Sequence, residues 1–368
     1  MKIMEKISWL MGTVQRSLFT HLDVCLSVPL TEQEKHLVSI LEIVQVEKFV
    51  PKKAWDQWLG RKLQEREALA RSFVAKSLYK YPTTRALIRA LHSTPNLREI
   101  CGFETIGDVP SESTFSRAFT EFADSKLGKR VHDTLVKDYL NGEIIGHISR
   151  DATAIVGREK PAKKVKTLKV PQRKKGRPAK NEVREPVPEK RLDKQVTQTA
   201  EEAIKELPAI CDRGTKKNSK GFKESWNGYK LHLDVNDCGL PISSILSSAS
   251  LHDSQVAIPL MKLTSGKVTY CYDLMDAAYD AERIWDTSRE LGHVPIIDRN
   301  PRGGEVIPMA PHEAVRYNER TSAERCNSRL KDDFGARDVM VKGPAKVDMH
   351  LMFGVITLFA DQLIRLLA

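Results

Sequence analysis

The sequence has few cysteines and no long apolar run, and these shortages exclude several classes of protein. Its 368 residues include six cysteines, and no two have the C-x-x-C spacing of a zinc ribbon or redox motif. We therefore expect reduced thiols in a cytoplasmic protein, not a disulfide scaffold. Charges interrupt the first residues, so no targeting segment is predicted. The most apolar stretch, residues 351–360, is about half as long as a membrane-spanning helix, and its spacing predicts a buried C-terminal helix.

Positive charge is in excess, but it is confined to one segment. The chain carries 59 Lys and Arg against 48 Asp and Glu, a net charge of +11. Residues 158–194 hold 15 basic and 5 acidic residues, a net of +10, with five prolines and no aromatic residue. That composition cannot form a core, so we expect a flexible basic insertion over residues 158–220 that attracts a polyanion such as DNA.

One short stretch of this segment is similar to the core of an AT-hook, which binds the minor groove of DNA. Gly176 lies between basic residues there, and three of these are candidate DNA contacts: Lys174, Lys175 and Arg177. A polycationic linker that contacts phosphates without sequence preference is the alternative, and in both cases binding weakens steeply with salt.

Residues 1–140 are predicted to form an all-helical N-terminal domain that binds DNA. There is no glycine between positions 12 and 60, and part of the region resembles a helix-turn-helix. Ser111 is expected to cap the third helix of that unit through its hydroxyl. Arg117 and small hydroxyl side chains would then face outward, which suits phosphate and base-edge contacts. An ordinary solvated helix face is the alternative. The buried face would consist of three phenylalanines: Phe115, Phe119 and Phe122.

After residue 140 the pattern changes to short strands alternating with helices. A first strand lies within residues 141–157, and the insertion separates it from the remainder of the domain, residues 221–368. A hairpin follows the insertion, and βαβ units follow the hairpin. This order predicts an α/β domain with a mixed sheet flanked by helices.

Three acids occur where such a fold can bring them together. Asp151 is predicted at the end of the first strand, Asp276 at the end of a later strand, and Glu324 inside the last long helix, residues 316–332. Ligand sites collect at the carboxyl ends of strands in α/β sheets. Converging carboxylates favour Mg²⁺, which supports phosphoryl transfer. The pattern alone is weak, because the chain has 48 acids and any fold ends some strands with Asp.

The helix around Glu324 strengthens this hypothesis. At about 100° per residue, four side chains fall within an arc of about 60°, a stripe formed by Tyr317, Arg320, Glu324 and Lys331. The stripe would bind metal and phosphate, although a solvated charged face is the alternative. The opposite side is expected to pack on the sheet through four residues: Val315, Ala323, Cys326 and Leu330.

The residues around these acids resemble a known family. The stretch YNERTSAERCNSRLK has the pattern Y-x2-R-x3-E-x6-K, ISRDATAI contains Asp151, and MDAAYDAERIW contains Asp276. All three are similar to motifs of bacterial insertion-sequence transposases, which have an RNase H-like fold and a DDE triad. Two features depart from many relatives. Only 48 residues separate Asp276 from Glu324, and Ala281 occurs where the family often has Ser.

The resemblance implies a function and a set of partners. The triad would bind two Mg²⁺ ions, with Mn²⁺ as a substitute, to nick the ends of the element and join the freed 3′-hydroxyl to target DNA. Tyr317, Arg320 and Lys331 would bind the phosphates of the cleaved end. It also implies recognition of terminal inverted repeats, a homodimer in the synaptic complex, and nucleoid association without a membrane. A catalytically inactive DNA-binding regulator and an RNase H-like nuclease without strand transfer are the alternatives.

Overall fold

Helices form the first part of the chain, as its apolar spacing predicts. The computed structural model describes residues 29–50, 65–162, 189–217, 220–305 and 307–367. Up to residue 140 there are six α-helices among these residues: α1 (Glu32–Val44), α2 (Arg66–Leu78), α3 (Thr84–Ser93), α4 (Pro95–Cys101), α5 (Glu112–Asp124) and α6 (Leu127–Leu140).

The helix α5 begins where the sequence predicts, but its cap differs. Ser111 precedes α5, yet its Oγ lies 2.9 Å from Ser113 Oγ and caps no backbone amide. The predicted capping hydrogen bond is therefore wrong, because a neighbouring hydroxyl takes its place. The predicted apolar face is confirmed. Its three phenylalanine rings lie 4.9–6.3 Å from the ring of Phe73 in α2, in edge-on contact: Phe115, Phe119 and Phe122.

One six-stranded mixed sheet forms the centre of the second part. In this sheet β3 pairs antiparallel with β1, β2 and β4, whereas β1, β5 and β6 run parallel. The predicted α/β class with an RNase H-like mixed sheet is confirmed. The strands are β1 (Ile144–Val156), β2 (Asp212–Lys217), β3 (Lys223–Asn236), β4 (Pro241–Ser248), β5 (Thr269–Met275) and β6 (Val294–Ile297).

The first strand is longer than expected. Residues 152–156 pair with residues 228–232 of β3, so β1 continues past Asp151. Asp151 therefore lies inside the strand, opposite Leu233, and the prediction that it ends the strand is wrong. The extension depends on a partner strand that is distant in sequence, which local periodicity does not reveal.

Helices cover the sheet, and one predicted helix is interrupted. They are α7 (Arg191–Thr197), α8 (Ala200–Lys205), α9 (Ser254–Ser265), α10 (Glu282–Glu290), α11 (Pro311–Tyr317), α12 (Thr321–Asp333) and α13 (Pro344–Arg365). The single helix predicted over residues 316–332 is wrong, because a 3₁₀ turn, Asn318–Arg320, separates α11 from α12. A 3₁₀ helix has about 3.0 residues per turn, fewer than an α-helix, so the residues before and after this segment do not share one face. Val315 is consequently 72% exposed, whereas Ala323, Cys326 and Leu330 are buried as predicted.

Residues 189–217, which belong to the predicted insertion, form helices and a strand. Gln195 in α7 is buried and donates a 2.9 Å hydrogen bond to the carbonyl of Gln255. Lys262 of α9 donates to the carbonyls of Gln195 and Val196 at 2.8 Å. The expectation of a flexible insertion does not hold for α7, α8 and β2, because α9 supplies contacts for the helices and β3 pairs with β2. Lys174, Lys175 and Arg177 lie outside the described residues.

The C-terminal helix α13 connects the two parts of the molecule. It is long and apolar enough to cross a membrane, but 83% of its most apolar 18-residue stretch is buried inside the protein. It packs against α1, α2, α5 and α6, as well as α12. The same apolar core includes Ile148 of β1 and Ile242 of β4. The proposed boundary near residue 140 thus separates two kinds of secondary structure that share one core.

Candidate active site

Two of the predicted acids lie side by side on parallel strands. In the pairing of β1 with β5, Ser149 lies opposite Leu274. The same register, continued by two residues, brings Asp151 beside Asp276. Asp276 directly follows β5 and begins a 3₁₀ turn, where its Oδ1 accepts a 3.0 Å hydrogen bond from the Ala278 amide. The sheet register and this cap therefore fix both carboxylates at one end of the parallel strands.

The electrostatics of the pair favour a bound cation. Burial raises the pKa of Asp151 to about 6, and the charge of Asp276 adds to the rise. Hydrogen bonds from the Ala152 amide and from Asn327, together with the charge of Arg320, oppose it. Burial also raises the pKa of Asp276, which Arg320 likewise opposes. Burial is the main cause of both raised pKa values, and a buried carboxylate pair of this kind is typical of metal and catalytic sites.

Glu324 is linked to this pair through Arg320, whose charge acts on both Glu324 and Asp151. The side chain of Glu324 is 52% exposed, and its Oε1 accepts a 2.6 Å hydrogen bond from Arg320 Nη2. The Arg320 guanidinium also lies 5.5 Å from the ring centre of Tyr317. The structure therefore places three members of the predicted stripe together despite the break in the helix.

Lys331, the fourth member, lies within electrostatic reach of Asp151. Burial lowers the pKa of Lys331, while the charge of Asp151 opposes that effect. Arg117 is exposed on α5, where its Nη2 lies 3.4 Å from Thr114 Oγ1. No hydrogen bond or ion pair within the described ranges links Arg117 to the acids, so it belongs to a different surface.

The residues fit a divalent cation in part. Carboxylate oxygens are the ligands that Mg²⁺ prefers, and Asp151 and Asp276 supply them with uncompensated charge. Across the part of the chain that the structure describes, no three acidic, His or Cys side chains form a metal-binding group. Glu324 is instead paired with Arg320, and its side chain is about half exposed.

Several residues of the site were missed by sequence reasoning. Asn327 Nδ2 donates a 3.0 Å hydrogen bond to Asp151 Oδ2, and it follows Glu324 by three residues, at the edge of the predicted stripe. The helical spacing could therefore have identified it. Asp253 and Asp298 both contribute to the raised pKa of Asp276. Asp298 directly follows the strand β6, so the rule that places sites at strand ends applied to it as well.

On the opposite face of the sheet, a buried ion network excludes a neighbouring acid from the site. Arg150 lies 2.6 Å from Asp234 and 3.4 Å from Asp273, and none of these side chains is more than 1% exposed. Ser288 also donates a 2.7 Å hydrogen bond to Asp273. These contacts occupy Asp273, so its carboxylate faces away from Asp151 and Asp276.

Comparison with known proteins defines the class of protein to which this site belongs. A family model described as "Transposase DDE domain" matches residues 151–360, and one described as "Transposase domain (DUF772)" matches residues 29–121. The first match covers more than half of the chain, and the chain therefore belongs to the DDE transposase family. Curated proteins and solved structures compared with the chain give no match. Family membership implies an enzyme of DNA transposition, with DNA as its substrate.

Proposed function

We propose that the protein cleaves and transfers DNA strands at the ends of an insertion sequence, with Asp151, Asp276 and Glu324 as catalytic carboxylates. The observation that carries this proposal is the pair of aspartates on parallel strands. The register of β1 with β5, continued by two residues, brings them together, the charge of Asp276 raises the pKa of Asp151, and each accepts a hydrogen bond from a backbone amide. Such a pair is a poor structural element but a suitable ligand set for a hard cation.

The carboxylates would hold Mg²⁺, with Mn²⁺ as a substitute. When bound, the ions supply the charge that activates the attacking oxygen and stabilises the leaving oxygen in phosphoryl transfer. Asn327 binds Oδ2 of Asp151 and so fixes the orientation of that carboxylate. Once Glu324 turns from Arg320, the guanidinium is released and can bind the oxygens of the scissile phosphate. Lys331 provides a second cation for the phosphates, and Tyr317 positions the same strand.

Other surfaces would bind the DNA on which these residues act. Arg117 and the exposed hydroxyls of Ser113 and Ser116 form the outer face of α5, and we assign terminal inverted-repeat contacts to them. Lys174, Lys175 and Arg177 would contact phosphates along the same DNA. Synapsis of two ends by a homodimer, in a nucleoid-associated cytoplasmic complex, completes the proposal.

A cleavage assay tests the catalytic assignment. The inverted repeats that flank the gene provide the duplex substrate. Asp151→Asn, Asp276→Asn and Glu324→Gln should each abolish Mg²⁺-dependent nicking, by on the order of a thousandfold or more, while duplex binding persists. Glu201→Gln, an exposed change in α8, is the matched control and should cleave normally.

Two outcomes would contradict the proposal. Undiminished cleavage by all three variants would remove the triad. Wild-type binding without cleavage in either Mg²⁺ or Mn²⁺ would support the alternative, a transposase-derived DNA-binding regulator.

A further inference from the structure

A positively charged cleft lies between the N-terminal helices and the beginning of α13. Its volume is about 530 Å³, and none of the three proposed catalytic acids lines it. Among the described residues that line it, the one acid is Glu112, which forms a 2.7 Å ion pair with Arg85. The basic side chains that line it, apart from the imidazole of His350, are Lys76, Arg85, Arg158, Lys342 and Lys346. The lining therefore carries a clear excess of positive charge.

The innermost of these cations, Lys76, is buried without a partner. Its side chain is on α2 and is only 9% exposed, and within the described ranges it makes no hydrogen bond or ion pair. Burial lowers the pKa of Lys76 to about 8, and the charge of Asp338 offsets only part of this. Burial and the charge of Lys76 also lower the pKa of His350 to about 3, so the imidazole beside it stays neutral. A buried ammonium ion without an anion is costly, and a bound anion would remove that cost.

Three helices direct their first turns to the same cleft. Thr84 of α3, Glu112 of α5 and Lys346 of α13 all line it, and each belongs to the first turn of its helix. Helix N-termini carry partial positive charge and present unpaired amides. No side chain caps α5 or α13. The Thr114 amide bonds the Ser111 carbonyl and Pro344 has no amide hydrogen, so only the other amides of these first turns can serve an oxygen ligand.

We propose that this cleft binds a phosphate group of the DNA backbone, as a contact separate from the carboxylates. The inference rests on the proposed DNA-binding function. Ser116 lines the cleft and is followed on α5 by the exposed Arg117. Arg158, on another wall, begins the basic segment of residues 158–194. A DNA strand that crosses the cleft therefore has cationic contacts on both sides, which a single free anion would not use.

Binding of a duplex of arbitrary sequence, followed by fluorescence anisotropy over a series of salt concentrations, tests this inference. Lys76→Met removes the buried charge and keeps most of the side-chain length. We expect about tenfold weaker binding, which corresponds to the loss of one charged hydrogen bond. The slope of log K against log salt should fall in magnitude by about one. The double variant Lys342→Gln/Lys346→Gln alters only residues at the edge of the cleft, so it tests the same contact even if Lys76→Met fails to fold.

The control and the contrary results separate this inference from the proposed function. Lys137→Gln, an exposed change in α6 outside the cleft, should keep wild-type affinity and slope. Wild-type affinity and slope in the folded cleft variants would overturn the inference. Failure of the wild-type protein to bind any duplex would contradict the proposed DNA binding instead. In that case inorganic phosphate decides, because thermal stabilisation of the wild type and not of the cleft variants supports an anion site, and its absence overturns it.

Discussion

Arg150 and Asp151 are neighbours in β1, yet their side chains face opposite sides of the sheet and differ in electrostatic balance. Arg150 is fully buried between Asp234 and Asp273, in a network that is inaccessible to solvent. Burial acts to raise the pKa of Asp273, but Arg150 and His293 overcome it, so that pKa lies below its usual value, whereas burial keeps the pKa of Asp234 raised. Asp151 has a second aspartate beside it, and its pKa is raised to about 6.

The difference separates charges that support the fold from charges that serve a ligand. The network around Arg150 connects β1, β3 and β5 through charges that the chain itself provides. On the other face, Asp151 and Asp276 share Arg320 with Glu324, and the pKa values of both aspartates stay raised. Buried carboxylates with raised pKa values lower the stability of the free protein and are characteristic of functional sites.

The largest expected effect follows from removal of the buried cation. Arg150→Met leaves Asp234 and Asp273 buried without their partner and should lower the free energy of unfolding by about 3–5 kcal/mol. Urea denaturation measures this. Arg325→Met, an exposed change in α12, is the control and should cost less than about 0.5 kcal/mol. Equal losses in the two variants would contradict the structural role of the network.

On the other face of the sheet, removal of a charge is expected to raise the free energy of unfolding, not to lower it. Because the folded-state pKa of Asp151 is about 6 and the unfolded value is about 4, the folded protein binds more protons between these pH values. Stability therefore falls as pH rises through this window. In EDTA at pH 7, Asp151→Asn should raise the free energy of unfolding by roughly 1–2 kcal/mol. A variant less stable than wild type at that pH would show that the negative charge of Asp151 does not destabilise the free protein.

Arg320→Gln tests the role of the cation between the two acids and Glu324. It removes positive charge beside the carboxylates and frees Glu324, so Mn²⁺ affinity should rise by roughly threefold to tenfold. DNA cleavage should fall at the same time, because the proposed phosphate contact is lost. Calorimetric titration and the cleavage assay measure the two effects. Weaker Mn²⁺ binding would mean that Arg320 supports the metal site directly.

The smallest expected effect tests which side chains face the core before and after the 3₁₀ turn. Val315→Ser should change stability by less than about 0.5 kcal/mol, because the side chain is already exposed. Leu330→Ala, on the buried face of α12, should cost about 2–5 kcal/mol. Thermal denaturation of both variants measures these changes. A large loss of stability in Val315→Ser would support the continuous helix predicted from the sequence.

The order of helices and strands outside residues 158–220 follows from the sequence because local periodicity determines it, whereas α7, α8 and β2 lie within the predicted insertion. The position of Asp151 inside β1 does not follow from the sequence, since the second half of that strand depends on pairing with residues 228–232. The contact between Glu324 and Arg320 is a choice of side-chain conformation that spacing alone leaves open. Lys76 fits the apolar face of α2 by spacing, but only the packing of α13 and its neighbours shows that the charge is buried.

Crystals soaked in Mn²⁺ and measured at the manganese absorption edge test most directly whether the three carboxylates form one metal site. We predict anomalous density between Asp151 and Asp276, with Glu324 turned from Arg320 toward the metal. Anomalous density elsewhere in the protein, with Glu324 still bound to Arg320, would contradict the assignment of these acids as the catalytic triad.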